Sequence, residues 1–200
     1  MKKDLSLYLT IALICAGSFV IAQEKWESLD IGTEGGKTRI EKDSIVIIAD
    51  GADIWETADG FRFVYRKVSG NVEISARIHS LKEVNEWSKA GVMIRESTKP
   101  GSKHVMLVAT PMHGLAFQYR PEADDTSQHV EVGEFEYPVY LKMKRTGNAF
   151  SAYWSRDGRK WNEAGEIEVE MGKDVLAGLA VTSHAEGEYT EAKFTEVKLK

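Results

Sequence analysis

The sequence predicts an all-β sandwich or barrel, and three observations carry that prediction. Side chains alternate in polarity with period two over several short stretches, turn-forming pairs recur at short intervals, and helical periodicity is nearly absent. Asp50-Gly51, Asp59-Gly60, Ser69-Gly70, Pro100-Gly101, His113-Gly114, Gly147-Asn148 and Asp157-Gly158 are such pairs, with residues suited to the backbone conformations of chain reversal.

Taken in order, residues 1–22 read as a secretory signal peptide. Lys2 and Lys3 precede an apolar run from Leu5 to Val20, and Val20-Ile21-Ala22 offers a small-residue cleavage site. Ser6, Tyr8 and Thr10 interrupt the run, which is shorter than the ~20 apolar residues of a comfortable membrane span. An uncleaved anchor is one rival reading. Lipidation of Cys15 is another, against which stands the bulky Ile14 just before it. Residues 23–200 then form one domain, secreted or held in the periplasm or cell envelope, with no membrane span after cleavage. Cys15 is the only cysteine of the chain, so the mature domain would have no disulfide, thiolate metal site or cysteine nucleophile. The leader carries Lys2, Lys3 and Asp4, a net +1, so the mature charge would be −6 rather than −5. With no basic cluster along the sequence to neutralise phosphates, nucleic acid is not an expected partner.

Within the domain, Phe61, Phe63 and Tyr65 alternate with Arg62, Val64 and Arg66, and Val72, Ile74, Ala76 and Ile78 with Glu73, Ser75, Arg77 and His79. Each set reads as a strand with one covered face. Leu81 to Trp87 is the one stretch that could hold a helical turn, and a connecting loop serves as well. Gly91–Arg95, Val105–Val108 and Leu115–Arg120 are apolar on nearly both sides, as central strands of a covered sheet are. Arg95, Gln118 and Arg120 interrupt them. Where water is excluded a polar group needs a partner, so these three belong either to an internal network, with an acid such as Glu73 or Glu131, or to a ligand groove. Further on, Val139, Leu141 and Met143 oppose Tyr140, Lys142 and Lys144, and Phe150, Ala152 and Trp154 oppose Ser151 and Tyr153. Ser155 to Trp161 holds an Asp-Gly hairpin turn. Glu166 to Glu170, Leu176 to Ser183 and Phe194 to Leu199 complete the strands.

Several of these pieces match a known pattern. Asp53-Ile54-Trp55, Asp59 to Phe63, Ser69-Gly70-Asn71, Lys89 to Ser97, Gly114 to Arg120 and Arg145 to Asn148 resemble secreted bacterial domains of the concanavalin A-like lectin/glucanase superfamily. The likeness is to the β-xylosidase C-terminal-like or "regulation of enolase" type and covers essentially the whole mature chain. It implies a two-sheet antiparallel jelly-roll sandwich with one concave sheet. The turn at Ser155 to Trp161 also resembles the Asp-box of sialidases but lacks one residue between Asp and Gly, so that activity does not carry over.

Candidate chemistry follows from residue types. Glu166, Glu168 and Glu170 share one strand face at ~6.6 Å intervals, and a retaining glycosidase needs two carboxylates about 5–5.5 Å apart. A solvated outer face, with Ile167 and Val169 inward, explains the same pattern. Among the five tryptophans, Trp154 continues a core face, Trp161 clamps a turn and Trp26 anchors the first strand, whereas Trp55 and Trp87 sit in turn-rich segments where a flat ring can receive a sugar face. Arg95 and Arg120 offer paired donors to hydroxyls or carboxylates, with Gln118 and His104 beside them. His79, His104, His113, His129 and His184 lack metal-ligand spacing. Calcium on Asp30, Asp50 or Asp53 is conceivable but unsupported, and no cofactor or metal is expected. The leading reading is a non-catalytic module binding a polysaccharide or glycan on the concave sheet through Trp55, Trp87, Arg95, His104, Gln118 and Arg120. A glycoside hydrolase or lyase and a structural or protein-interaction domain of the envelope are the alternatives.

Overall fold

The structure, a computed structural model, describes residues 25–200. The signal-peptide reading of residues 1–22 lies outside the described residues. Sixteen strands follow in order: β1 (Glu27–Ile31), β2 (Lys37–Ile40), β3 (Ser44–Ala49), β4 (Ile54–Trp55), β5 (Ala58–Asp59), β6 (Phe61–Ser69), β7 (Val72–Leu81), β8 (Lys89–Arg95), β9 (His104–Ala109), β10 (Leu115–Arg120), β11 (Gln128–Gly133), β12 (Val139–Thr146), β13 (Ala149–Ser155), β14 (Asn162–Glu168), β15 (Asp174–Thr182) and β16 (Thr190–Leu199). No helix occurs among the described residues; Leu81 to Trp87 is the end of β7 and a loop.

Two seven-stranded antiparallel sheets form the sandwich, in the orders β1-β6-β15-β8-β9-β10-β11 and β14-β13-β12-β7-β16-β3-β2, and β4 and β5 pair as a small separate hairpin. Here the jelly roll is realised as expected. The period-two residues Val72, Ile74, Ala76 and Ile78 of β7 and Leu141 and Met143 of β12 meet Val92, Ile94, Val105 and Leu107 of the other sheet in one fully buried core. Such burial stabilises by about 25 cal/mol per Å² of apolar surface removed from water.

The first sheet is covered on its other face as well. Phe61, Phe63, Tyr65, Met93, Met106, Ala116 and Ala180 form a second buried cluster that takes in Ile54 of the β4–β5 hairpin. This second layer is the physical reason that β8, β9 and β10 are apolar on both sides, since every residue of β8 and β9 is buried. It also determines the fate of the polar residues on that face, because the layer above them is protein rather than water.

Candidate functional site

Arg95, His104 and Arg120 do not line an open groove. All three are fully buried on the second-layer face of the first sheet, and their common partner is Asp59 of β5, itself sealed. Arg120 donates from both terminal nitrogens to the carboxylate, at 2.6 Å to Oδ1 and 3.0 Å to Oδ2, and Arg95 donates to Oδ2 at 3.1 Å. His104 Nδ1 lies 3.8 Å from the same oxygen. The anticipated acids Glu73 and Glu131 take no part: Glu73 pairs with Lys144 on the far side of the sandwich. Two cations share one anion, and backbone carbonyls complete the compensation. Arg95 donates to Ser97 and Lys99, and Arg120 to Trp55, Glu56, Pro100, Ser102 and Asp125. Burial lowers Arg95 to about 10, with Asp59 opposing the shift, so it stays charged at neutral pH. Burial pushes His104 down to about 3, so its imidazole is neutral.

These residues therefore act on the loops above them, and in doing so they set an exposed site. Trp55 and Glu56 form the tip of the β4–β5 hairpin, and Arg120 holds both of their carbonyls at 2.9 Å while Glu56 takes the left-handed conformation at φ 43°. Trp87 is positioned by its own loop. Asn85 Oδ1 accepts the Trp87 N–H at 2.8 Å, and Ser88 Oγ accepts from the Asn85 N–H at 3.0 Å while donating to the buried Ser183 carbonyl at 2.7 Å. His113 stacks on one face of Trp87, with centroids 3.7 Å apart and planes 9° from parallel.

Between the two indoles lies a recess of about 400 Å³ lined by Asp53, Trp55, Trp87, Lys89, Gln118, His129 and His184. His129, from the edge strand β11, stands edge-on to both rings at 6.4 and 6.0 Å. Beneath them Lys89 is almost wholly sealed, its Nζ 5.8 Å from the Trp55 ring and 6.0 Å from that of Trp87. Asp53 pairs with Lys89 and also lies 3.2 Å from His184 Nε2. Burial lowers the Lys89 pKa, which Asp53 opposes; burial and then the charge of Lys89 lower that of His129. Gln118 Nε2 meets His129 Nδ1 at 3.1 Å, whereas its Oε1 is buried with no hydrogen-bond partner among the described residues. A buried acceptor left unpaired costs roughly 1–3 kcal/mol.

Of the residues singled out in the sequence, Trp55, Trp87 and Gln118 thus come together at one recess, while Arg95, His104 and Arg120 form the buried support beside it. Lys89, Asp53, His129 and His184 complete the recess and were not anticipated there. A lysine heading a buried strand was a readable signal, because its charge demands a partner; His129 in a polar edge strand gave none.

The remaining candidates lie elsewhere. Glu166, Glu168 and Glu170 are all exposed, but only Glu166 and Glu168 lie on the edge strand β14, whereas Glu170 falls just beyond its end after the buried Val169, so the three do not share one strand face and the pattern is that of a solvated edge. Asp30 is held by Arg62 and the Gly36 N–H, and Asp50 by the N–H of Gly187. Trp154 is half-buried against the core, and Trp26 lies under the Arg66 guanidinium at 4.4 Å. The Ser155 to Trp161 turn closes on itself: Asp157 Oδ1 accepts from the Arg159 and Lys160 N–H groups, and Gly158 takes φ 69°.

No protein-family model and no curated protein matches the sequence. Solved structures do. A functionally unknown protein from Saccharomyces cerevisiae superposes with a TM-score of 0.69 at 12% identity, over 88% of this chain and 95% of that one. The carbohydrate binding module CBM66 from Bacillus subtilis gives 0.57 at 15% identity, over 88% and 94%. The GH43 protein BlXynB from Bacillus licheniformis gives 0.60 at 15% identity, but the match covers 78% of this chain and only 32% of that larger one. At such identities the likeness is one of fold, and the fold is the concanavalin A-like jelly roll.

Proposed function

We propose that this chain is a non-catalytic carbohydrate-binding domain, acting outside the cytoplasm where its leader would deliver it, and that it receives a sugar at the Trp55–Trp87 recess. One observation carries the reading: two half-buried indoles from separate loops, each fixed by its own hydrogen bonds, converge over a sealed Lys89 that is paired with the half-buried Asp53. An indole offers a broad apolar surface to the C–H face of a sugar ring, while polar groups at the rim fix its hydroxyls. His129, His184 and Asp53 supply that rim. A carbohydrate binding module among the proteins of similar fold supports the same class of ligand.

The hydrolytic alternative gains nothing from Glu166, Glu168 and Glu170, which are exposed at and just beyond the edge strand β14. Screening against neutral plant, algal and bacterial polysaccharides, followed by calorimetry on the best ligand, tests the proposal. Trp55→Ala and Trp87→Ala should each weaken binding tenfold or more, equivalent to about 1.4 kcal/mol. Unchanged affinity in both variants would refute it.

A further inference from the structure

The Trp55–Trp87 recess combines aromatic walls with hydrogen-bonding capacity that the protein does not use itself. Trp55, Trp87 and the edge-on ring of His129 supply the walls. Gln118 of β10 lines the same space, and its register partners are His129 on β11 and Met106 on β9. Direct partners carry their side chains on one face. His129 Nδ1 takes up Gln118 Nε2 at 3.1 Å, whereas Met106 has no hydrogen to donate. Gln118 Oε1 is therefore left buried and unpaired among the described residues, on a residue only 2% exposed.

Lys89 is the counterpart, a donor with capacity to spare. An ammonium group carries three protons, and among the described residues Lys89 Nζ has two acceptors, Asp53 Oδ1 and the Ile54 carbonyl at 3.4 Å. What stays free is one acceptor on an uncharged amide and one donor on a cation that already has its anion in Asp53. That pairing calls for a neutral group with a donor and an acceptor of its own. A carboxylate brings no donor. Two adjacent hydroxyls bring both, but they add no apolar surface to set against the rings. A secondary amide that ends in a methyl group brings all three.

Resting on the reading of this recess as a sugar site, we infer that its ligand is a 2-acetamido sugar, whose amide N–H donates to Gln118 Oε1, whose carbonyl accepts from Lys89 Nζ and whose methyl lies against the indoles. Each part of the substituent answers a separate feature of the recess. The N–H removes the cost of an unpaired buried acceptor, and the methyl leaves water for an aromatic surface. Gln118 is then the residue that sets specificity, while the two indoles hold any sugar ring.

Triacetylchitotriose and cellotriose test this directly, because they share one β-linked backbone and differ in carrying acetamido or hydroxyl groups at C2. Tryptophan fluorescence and calorimetric titrations of the wild-type chain should show the acetylated trimer binding about tenfold or more tightly than cellotriose. In Gln118→Met, with circular dichroism confirming the fold, that preference should shrink to about twofold or less. The wild-type comparison needs no substitution and decides the matter even if the variant unfolds. The inference is overturned if the acetylated trimer does not bind, if cellotriose binds as tightly, or if a folded Gln118→Met keeps the full preference. Cellotriose binding that Trp87→Ala removes, without any acetamido preference, would sink this inference alone and leave the sugar site standing. Binding of the acetylated trimer that persists in the double variant Trp55→Ala/Trp87→Ala would sink both.

Discussion

At the scale of single residues, Asp59 carries more of the buried electrostatics than any other side chain here, because Arg95, Arg120 and His104 all converge on its two oxygens. Removing one partner of a buried ion pair costs about 3–5 kcal/mol, since the other charge is left uncompensated. Asp59→Asn should therefore lower unfolding free energy in urea by that amount, whereas Glu168→Gln, on an exposed edge position, should change it by under about 0.5 kcal/mol. His104 gives a pH signature. Its folded pKa is about 3 against an ordinary 6.5, so between those values the unfolded chain binds more protons than the folded one. Stability should be complete above pH 6.5 and fall by roughly 1 kcal/mol per unit as pH drops toward 3. Denaturation across that range, compared with His104→Gln, should show a flatter slope in the variant. At this scale the sequence told half of the story: a guanidinium inside an apolar strand must be paired, but Asp59 stands beside a turn glycine and nothing along the chain shows that it folds over β8 and β10.

The β4–β5 hairpin is the element that links the buried network to the exposed recess. Arg120 grips its tip through the Trp55 and Glu56 carbonyls and its base through Asp59. Lysine at position 120 keeps the charge but loses the planar fork that makes these contacts together. Arg120→Lys should leave a folded sandwich, red-shift tryptophan emission as Trp55 is released to solvent, and weaken glycan binding several-fold. Trp87→Ala, by contrast, should weaken binding without freeing Trp55. Elements with clean alternation, such as β7 and β12, were legible to within a residue or two. β3 was missed although its Ser44–Ala49 run is as apolar as the central strands that were read. β11 was missed because it is a mostly exposed edge strand whose polar side chains resemble a loop.

For the molecule as a whole, the fold was legible and the site only partly so. Period two and turn spacing lead to an all-β sandwich or barrel whatever the ligand, since they record which faces meet water, and the two-sheet jelly roll was implied by the resemblance of the motifs. The site depends on a second layer above one sheet, assembled from segments far apart in sequence. Trp55 and Trp87 were recognisable as loop aromatics, but Lys89, His129 and His184 join them only after the strands pair. The most direct measurement is calorimetric titration of a neutral glycan identified by screening into the wild-type chain, Trp87→Ala and the double variant Trp55→Ala/Trp87→Ala. Wild-type binding, a tenfold or greater loss in the single variant and no detectable heat in the double variant are predicted. A double variant that binds as tightly as the wild type would contradict the assignment of this recess.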